Sequence, residues 1–419
     1  MNASVNNGSA RPVAVIGAGV IGMTTALTLQ RAGHDVTVFD PNPPGEACSR
    51  GNAGIIASYG VTPVQTPGIM WDAPGMLLDP LSPLAVRWTY LPRLAPWLLR
   101  FVLASGAKRV EEVSLALASL LPDVNGLWKD LAAEAGASDL LKDCTILVLF
   151  GNEKGWREAQ FSLELRRRRG VPAEEIPVAE ALRLEPALAP VFARAALTPG
   201  QGWCIDPLAL TGALVRRFRE LGGVIRAESV RAARPRNEGG AVLVADGGEA
   251  AWDNVVLSAG AWSRPLAAML GASVPLGTER GYHVMLDQGE GLLGRPVNLH
   301  DGGFYMTPMA GGLRCAGTVE LGGLDAPPDP KRADAIERQV RRLLPDAGER
   351  RSDWLGFRPS MPDSLPVLGP APGRRGIWLN FGHGHMGLTL AATCARITAD
   401  LIGQRDPGLD IAPFSAARF

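Results

Sequence analysis

The chain lacks an excess of charge of either sign. Its 42 basic and 42 acidic side chains cancel, so no net field draws it to nucleic acid. Cysteine is scarce: Cys48, Cys144, Cys204, Cys315 and Cys394 are odd in number, dispersed, and free of any CxxC spacing. That pattern argues against a disulfide framework or a zinc site and for a reducing compartment. No run reaches the roughly 18 apolar residues of a membrane-spanning helix. The opening MNASVNNGSAR is polar, without the apolar core of a secretory signal, so the expected location is cytoplasmic. Internal repeats and low-complexity linkers are also missing.

At 419 residues the chain is long for one hydrophobic core, and two domains are expected. Hydrophobic content of 46% and charged content of 20% suit an ordinary globular protein. With 50 glycines and 34 prolines, tight turns and close approaches of backbone to ligand are expected.

The opening periodicity is strand, helix, strand: Val13 to Ile16, Val20 to Ala32, and Val36 to Phe39. Between Pro63 and Pro96 the texture turns Pro- and Gly-rich, marking departure into another domain. Helical periodicity then runs from Leu98 to Glu134, with a strand at Thr145 to Phe150 and a charged helix at Glu158 to Arg169. A helix at Pro207 to Leu221 precedes strands at Gly223 to Ile225, Ala241 to Ala245 and Asn254 to Ser258. Strands are expected within Val274 to Met285 and Phe304 to Thr318, and an amphipathic helix at Lys331 to Leu344. The chain closes with a strand at Ile377 to Asn380 and a helix from Met386 to Ile402. The fold class is α/β, with the first domain left and re-entered.

The first turn reads Gly17-Ala18-Gly19-Val20-Ile21-Gly22 between strand and helix. Gly17 permits the turn, Gly19 admits a pyrophosphate to the backbone, and Gly22 lets helix and sheet close together. Asp40, 18 positions beyond Gly22, ends the next strand, where a carboxylate accepts from a ribose hydroxyl. The element alone does not separate FAD from NAD. Later segments favour the bulkier flavin. Ser49, Asn52, Ala53 and Gly54 lie in a small-residue loop, and Ala259, Gly260 and Trp262 in a turn after an apolar strand. Gly382-His383-Gly384-His385-Met386-Gly387 offers a second set of helix-start amides, suited to the electron-rich end of the ring.

These blocks, with GFRPSMPDSLPVLG before NFGHGHMGLT, resemble the FAD-dependent D-amino acid oxidase/glycine oxidase superfamily. The bacterial D-amino acid dehydrogenase branch is the nearest match. The likeness runs from Val13 to about Ile402. It implies a Rossmann-type FAD domain assembled from residues 1–62, 198–272 and 355–419, with FAD held non-covalently. A substrate domain, a mixed β-sheet with helices, is implied for residues 63–197 and 273–354. It implies dehydrogenation of small D-amino acids, cyclic ones such as D-proline or a hydroxyproline included. Hydride would pass from Cα to flavin N5, and electrons onward to a quinone or another acceptor.

Arg358 matches the arginine that grips the substrate carboxylate in several relatives, a role suited to a planar guanidinium; a domain-linking ion pair with Asp363 is the alternative. Tyr282, His283 and Tyr305 are candidates for lining the pocket, against ordinary core packing. His283 is taken as a pocket residue and not as an acid or base. One of His383 and His385 is a candidate for contacting flavin or substrate and the other for capping the turn; two histidines two apart make a poor metal set, and no metal is expected. Arg166 to Arg169 is expected to be a solvated face. Residues 87–102 mix arginines with apolar and aromatic side chains. They pack between domains or touch a membrane surface, and the resemblance raises the second reading. Rival functions are an oxidase of glycine or N-methyl amino acids using dioxygen, an NAD-dependent dehydrogenase, and a non-catalytic flavin subunit of an electron-transfer complex.

Overall fold

The computed structural model describes residues 12–67, 84–287 and 291–419. The N-terminal MNASVNNGSAR and residues 68–83 of the Pro- and Gly-rich stretch lie outside them.

A six-stranded sheet carries the N-terminal fingerprint. Its central strand, Pro12–Ile16, runs parallel to Asp35–Phe39 on one side and Asn254–Leu257 on the other. Val224–Arg226 extends the first side; Ile377–Phe381 and then antiparallel Val367–Pro370 extend the second. The apolar, β-branched run Val13, Val15 and Ile16 suits a strand buried on both faces. Helices Val20–Arg31 and Gly387–Ile402 lie against each other, and the Thr24 hydroxyl reaches the Ala391 carbonyl at 3.3 Å. A three-stranded antiparallel sheet spans Val230–Pro235, Ala241–Ala245 and Gly248–Trp252.

The second large sheet is mixed. Its strands run in the order Arg350–Ser360, Gly277–Leu286, Gly312–Leu321, Phe304–Met309, Val297–Leu299, Leu141–Phe150, Arg194–Cys204 and Ile55–Ile56. One face packs Tyr282, Val284, Phe304 and Met306 against helix Pro330–Leu343. Alternation along the strands sends Gly281, Tyr305 and Arg358 to the other face. A bridge between Ser360 and His383 joins the two large sheets, so Arg358 sits beside their junction.

Several expected elements take different bounds. Leu98 to Glu134 is three helices, Leu91–Leu103, Ala107–Leu120 and Val124–Glu134. Asp123 between the last two has φ +57°, which breaks the periodicity. Phe304 to Thr318 is a hairpin of two strands turning at Ala310 and Gly311. The boundaries at 197/198 and 354/355 fall inside strands Arg194–Cys204 and Arg350–Ser360. The sheet holding Arg194–Cys204 already begins at Ile55–Ile56, ahead of the expected exit at 62.

Candidate active site

The fingerprint turn is shaped by close contact. Gly17 has φ +108°, and a Cβ there would lie 2.4 Å from the Ser258 carbonyl oxygen. A Cβ on Gly22 would lie 1.8 Å from the Gly17 carbonyl oxygen, so only glycine lets this helix start against the strand. The Asp40 carboxylate accepts from the amides of Ala18 at 2.8 Å and Asn42 at 2.9 Å. The Ser49 hydroxyl accepts from the Val20 amide at 2.8 Å, tying its loop to the helix start.

From this turn a cavity of about 850 Å³ runs to the junction of the two sheets. Gly17, Gly19, Val20, Ile21, Asp40, Ser49, Asn52 and Ala53 line its first part, and Ala259, Gly260 and Trp262 one wall. His383, Gly384, His385, Met386 and Gly387 lie before the last helix on the same cavity. Gly22, Gly54 and Gly382 do not line it. A Cβ on Gly54 would meet the Cys204 carbonyl, and one on Gly382 the Met361 side chain, so both serve packing beneath the cavity.

The buried polar atoms Ser258 Oγ, Thr318 Oγ1, Asn380 Oδ1 and His383 Nε2 have no hydrogen-bond partner, and their residues line the cavity. Unpaired polar atoms are costly unless a ligand satisfies them. Together with the glycine-cleared fingerprint, they fit a long, polar dinucleotide with a ring system at the far end. Burial lowers the His383 pKa to about 3, and burial with the Arg358 charge lowers that of His385 to about 4. Both imidazoles are therefore neutral at pH 7. Burial raises the pKa of the Cys48 thiol on the cavity wall, so it stays protonated.

Residues 12–401 match the family described as DAO, FAD dependent oxidoreductase. The chain belongs to this family. It is 39% identical to a D-amino-acid oxidase of Bradyrhizobium diazoefficiens, over 98% of this chain and 99% of that one. It is 33% identical to a D-amino acid dehydrogenase 2 of Ralstonia nicotianae, over 97% and 100% of the two chains. Its fold superposes on glycine oxidase from Geobacillus kaustophilus with TM-score 0.77 and 25% identity, covering 98% and 99%. The chain is an FAD-dependent oxidoreductase, and the α/β architecture expected from its sequence is that of this family.

At the sheet junction, Arg358 crosses over Gly281, where a Cβ would lie 2.3 Å from its guanidinium. The guanidinium donates to the carbonyls of Thr318 at 2.7 Å and Gly317 at 3.3 Å. Asp363 is not its partner: that carboxylate binds Arg418 at 2.8 Å and Arg109 at 3.5 Å. Glu279 lies directly opposite Arg358 in the strand register and lines the cavity. Burial raises its pKa, against the opposing pull of Arg358. Glu279 was not apparent from the sequence, where no periodicity signals which face of a bulged strand meets a cavity.

Tyr305 lines the cavity, and its hydroxyl is hydrogen-bonded to that of Tyr59. Tyr282 also lines the cavity, though not as a free hydroxyl, and of the expected pocket residues His283 alone is placed elsewhere. The Tyr282 hydroxyl lies on the opposite face of its sheet, donating to Glu320 at 2.6 Å and accepting from the Asp329 amide at 2.9 Å. His283 does not line the cavity; its ring stacks on Trp354 and its Nδ1 contacts the Gly51 carbonyl at 2.9 Å. Burial and nearby Arg314 lower its pKa to about 4. Arg166 also departs from expectation. It turns inward to line the cavity, whereas Arg167 stays on the solvated surface.

Proposed function

We propose that the protein oxidises D-amino acids, with Arg358 holding the substrate carboxylate. The observation that carries this reading is the Arg358 guanidinium, set on the cavity face with carbonyls and no carboxylate as its hydrogen-bonding partners among the described residues. A guanidinium already held by two carbonyls keeps a fixed fork for a carboxylate. FAD, when bound, supplies the two-electron acceptor for hydride leaving Cα. The chain's own work is to hold and orient the amino acid. The neutral His383 and His385 fit a site that positions substrate and needs no strong base.

Replacing Arg358 with Ala should raise KM for a D-amino acid by about 100-fold, with Arg358→Lys intermediate. An unchanged KM in Arg358→Ala would remove Arg358 from the carboxylate site. The named relatives include both an oxidase and a dehydrogenase. We favour a quinone as acceptor, reached at a membrane surface by residues 87–102. This reading is supported by the exposure of Trp88 (66%), Leu99 (61%) and Leu103 (72%) on and beside helix Leu91–Leu103. Among the described residues no helix is long and apolar enough to cross a membrane.

A further inference from the structure

Helix Glu153–Arg168 ends in a run of arginines whose members have different partners. Arg167 pairs with Glu164, while Arg168 and Arg169 both pair with Glu111. Arg166 has no ion pair with a carboxylate among the described residues. Its guanidinium lies 4.6 Å over the Tyr59 ring, and its Nε is buried without a hydrogen-bond partner. It lines the same cavity as Arg358. The side chain is half-buried, and its buried Nε donor is costly unless a ligand in the cavity meets it.

The surroundings at that end are polar and uncharged. Tyr59 and Tyr305 share a hydrogen bond between their hydroxyls. Burial and the Arg166 charge lower the His300 pKa to about 4, so its imidazole is neutral at pH 7. The acidic residues among the described cavity lining are Asp40, in the fingerprint region, and Glu279, opposite Arg358. Neither forms an ion pair with Arg166.

The sheet sets the spacing between the Arg358 anchor and Tyr305. Arg358 is held on the carbonyls of Gly317 and Thr318. The neighbouring strand carries Tyr305, in register with Ala316, and adjacent strands lie about 4.8 Å apart. Tyr305 therefore lies about one strand spacing from the Arg358 anchor, and Tyr59 and Arg166 follow from it in turn.

We propose that Arg166 is a second anion subsite, so that the substrates this protein prefers are acidic D-amino acids. The α-carboxylate lies on Arg358 and the side-chain carboxylate pairs with Arg166 over the Tyr59 ring. This inference rests on the D-amino acid reading above. It adds a charge requirement that the reading does not contain.

The test uses purified holoenzyme and compares kcat/KM for D-glutamate with that for its neutral isostere D-glutamine. The wild type should favour D-glutamate by about 30-fold, the value of one charge-assisted pair. Arg166→Met should collapse or invert the ratio, and Arg166→Lys should restore part of it. A ratio unchanged in Arg166→Met, or a wild type that prefers D-glutamine, would overturn the proposal. Binding gives a readout that needs no turnover and no variant. Glutarate should perturb the wild-type flavin spectrum at least about 10-fold more tightly than butyrate. Equal affinities would overturn the subsite. If no amino acid reduces the flavin, the D-amino acid reading fails, and the glutarate–butyrate comparison alone decides the subsite.

Discussion

His383 Nε2 is buried without a partner, and burial lowers the pKa of this ring to about 3. His283, His300 and His385 titrate near 4 for the same main reason. Their ordinary value is 6.5, so the unfolded chain binds protons that the fold refuses. The stability this contributes is present above pH 6.5 and is lost as pH falls toward 4. The urea midpoint should stay level from pH 8 to 7 and drop between about 6.5 and 4. His383→Asn should shrink the drop, and a midpoint that stays flat to pH 4 would contradict these burials. At the same scale, His283 shares the Gly281 face of its strand but is covered by Trp354 and Gly51, and Tyr282 lines the cavity while its hydroxyl is engaged elsewhere. Alternation tells which residues share a face, but not which face meets the cavity. The Arg280–Glu320 ion pair, with both side chains buried and 3.0 Å apart, claims the Tyr282 side of the strand.

Elements were legible where local and global preferences agree. The fingerprint strand and helix, Pro12–Ile16 and Val20–Arg31, lie within a residue of expectation because glycines and a buried β-branched run mark their ends. Strands Arg194–Cys204 and Arg350–Ser360 escaped notice. Each mixes Pro, Gly and charge, and each is held by long antiparallel pairing that no local pattern encodes. Helix Leu91–Leu103 contains Pro96, and of its side chains only Leu94 and Trp97 are buried. Its exposed Leu99 and Leu103 carry the membrane proposal. Flotation with liposomes containing anionic phospholipid should recover the protein, and Leu99→Gln with Leu103→Gln should release it. Protein that stays at the bottom with both charged and neutral vesicles would sink that contact.

At the scale of the whole molecule, two sheets meet where Ser360 bridges to His383. The dinucleotide turn and Arg358 thereby open onto one cavity although they lie more than 300 residues apart in sequence. The cofactor end of this site was legible, because backbone approach to a dinucleotide demands glycine at fixed spacing. At the other end, the expected residues Arg358, Tyr282 and Tyr305 line the cavity, and His283 does not. Arg166 reads as one more member of a surface run until the fold turns it inward, and Glu279 becomes visible only through its register with Arg358. The central claim is that this cavity presents a D-amino acid to FAD. It is tested most directly by mixing the purified yellow protein anaerobically with D- and L-amino acids and following flavin absorbance. Bleaching by D-amino acids, lost in Arg358→Ala, is the predicted result; bleaching by L- or N-methyl amino acids alone would contradict it.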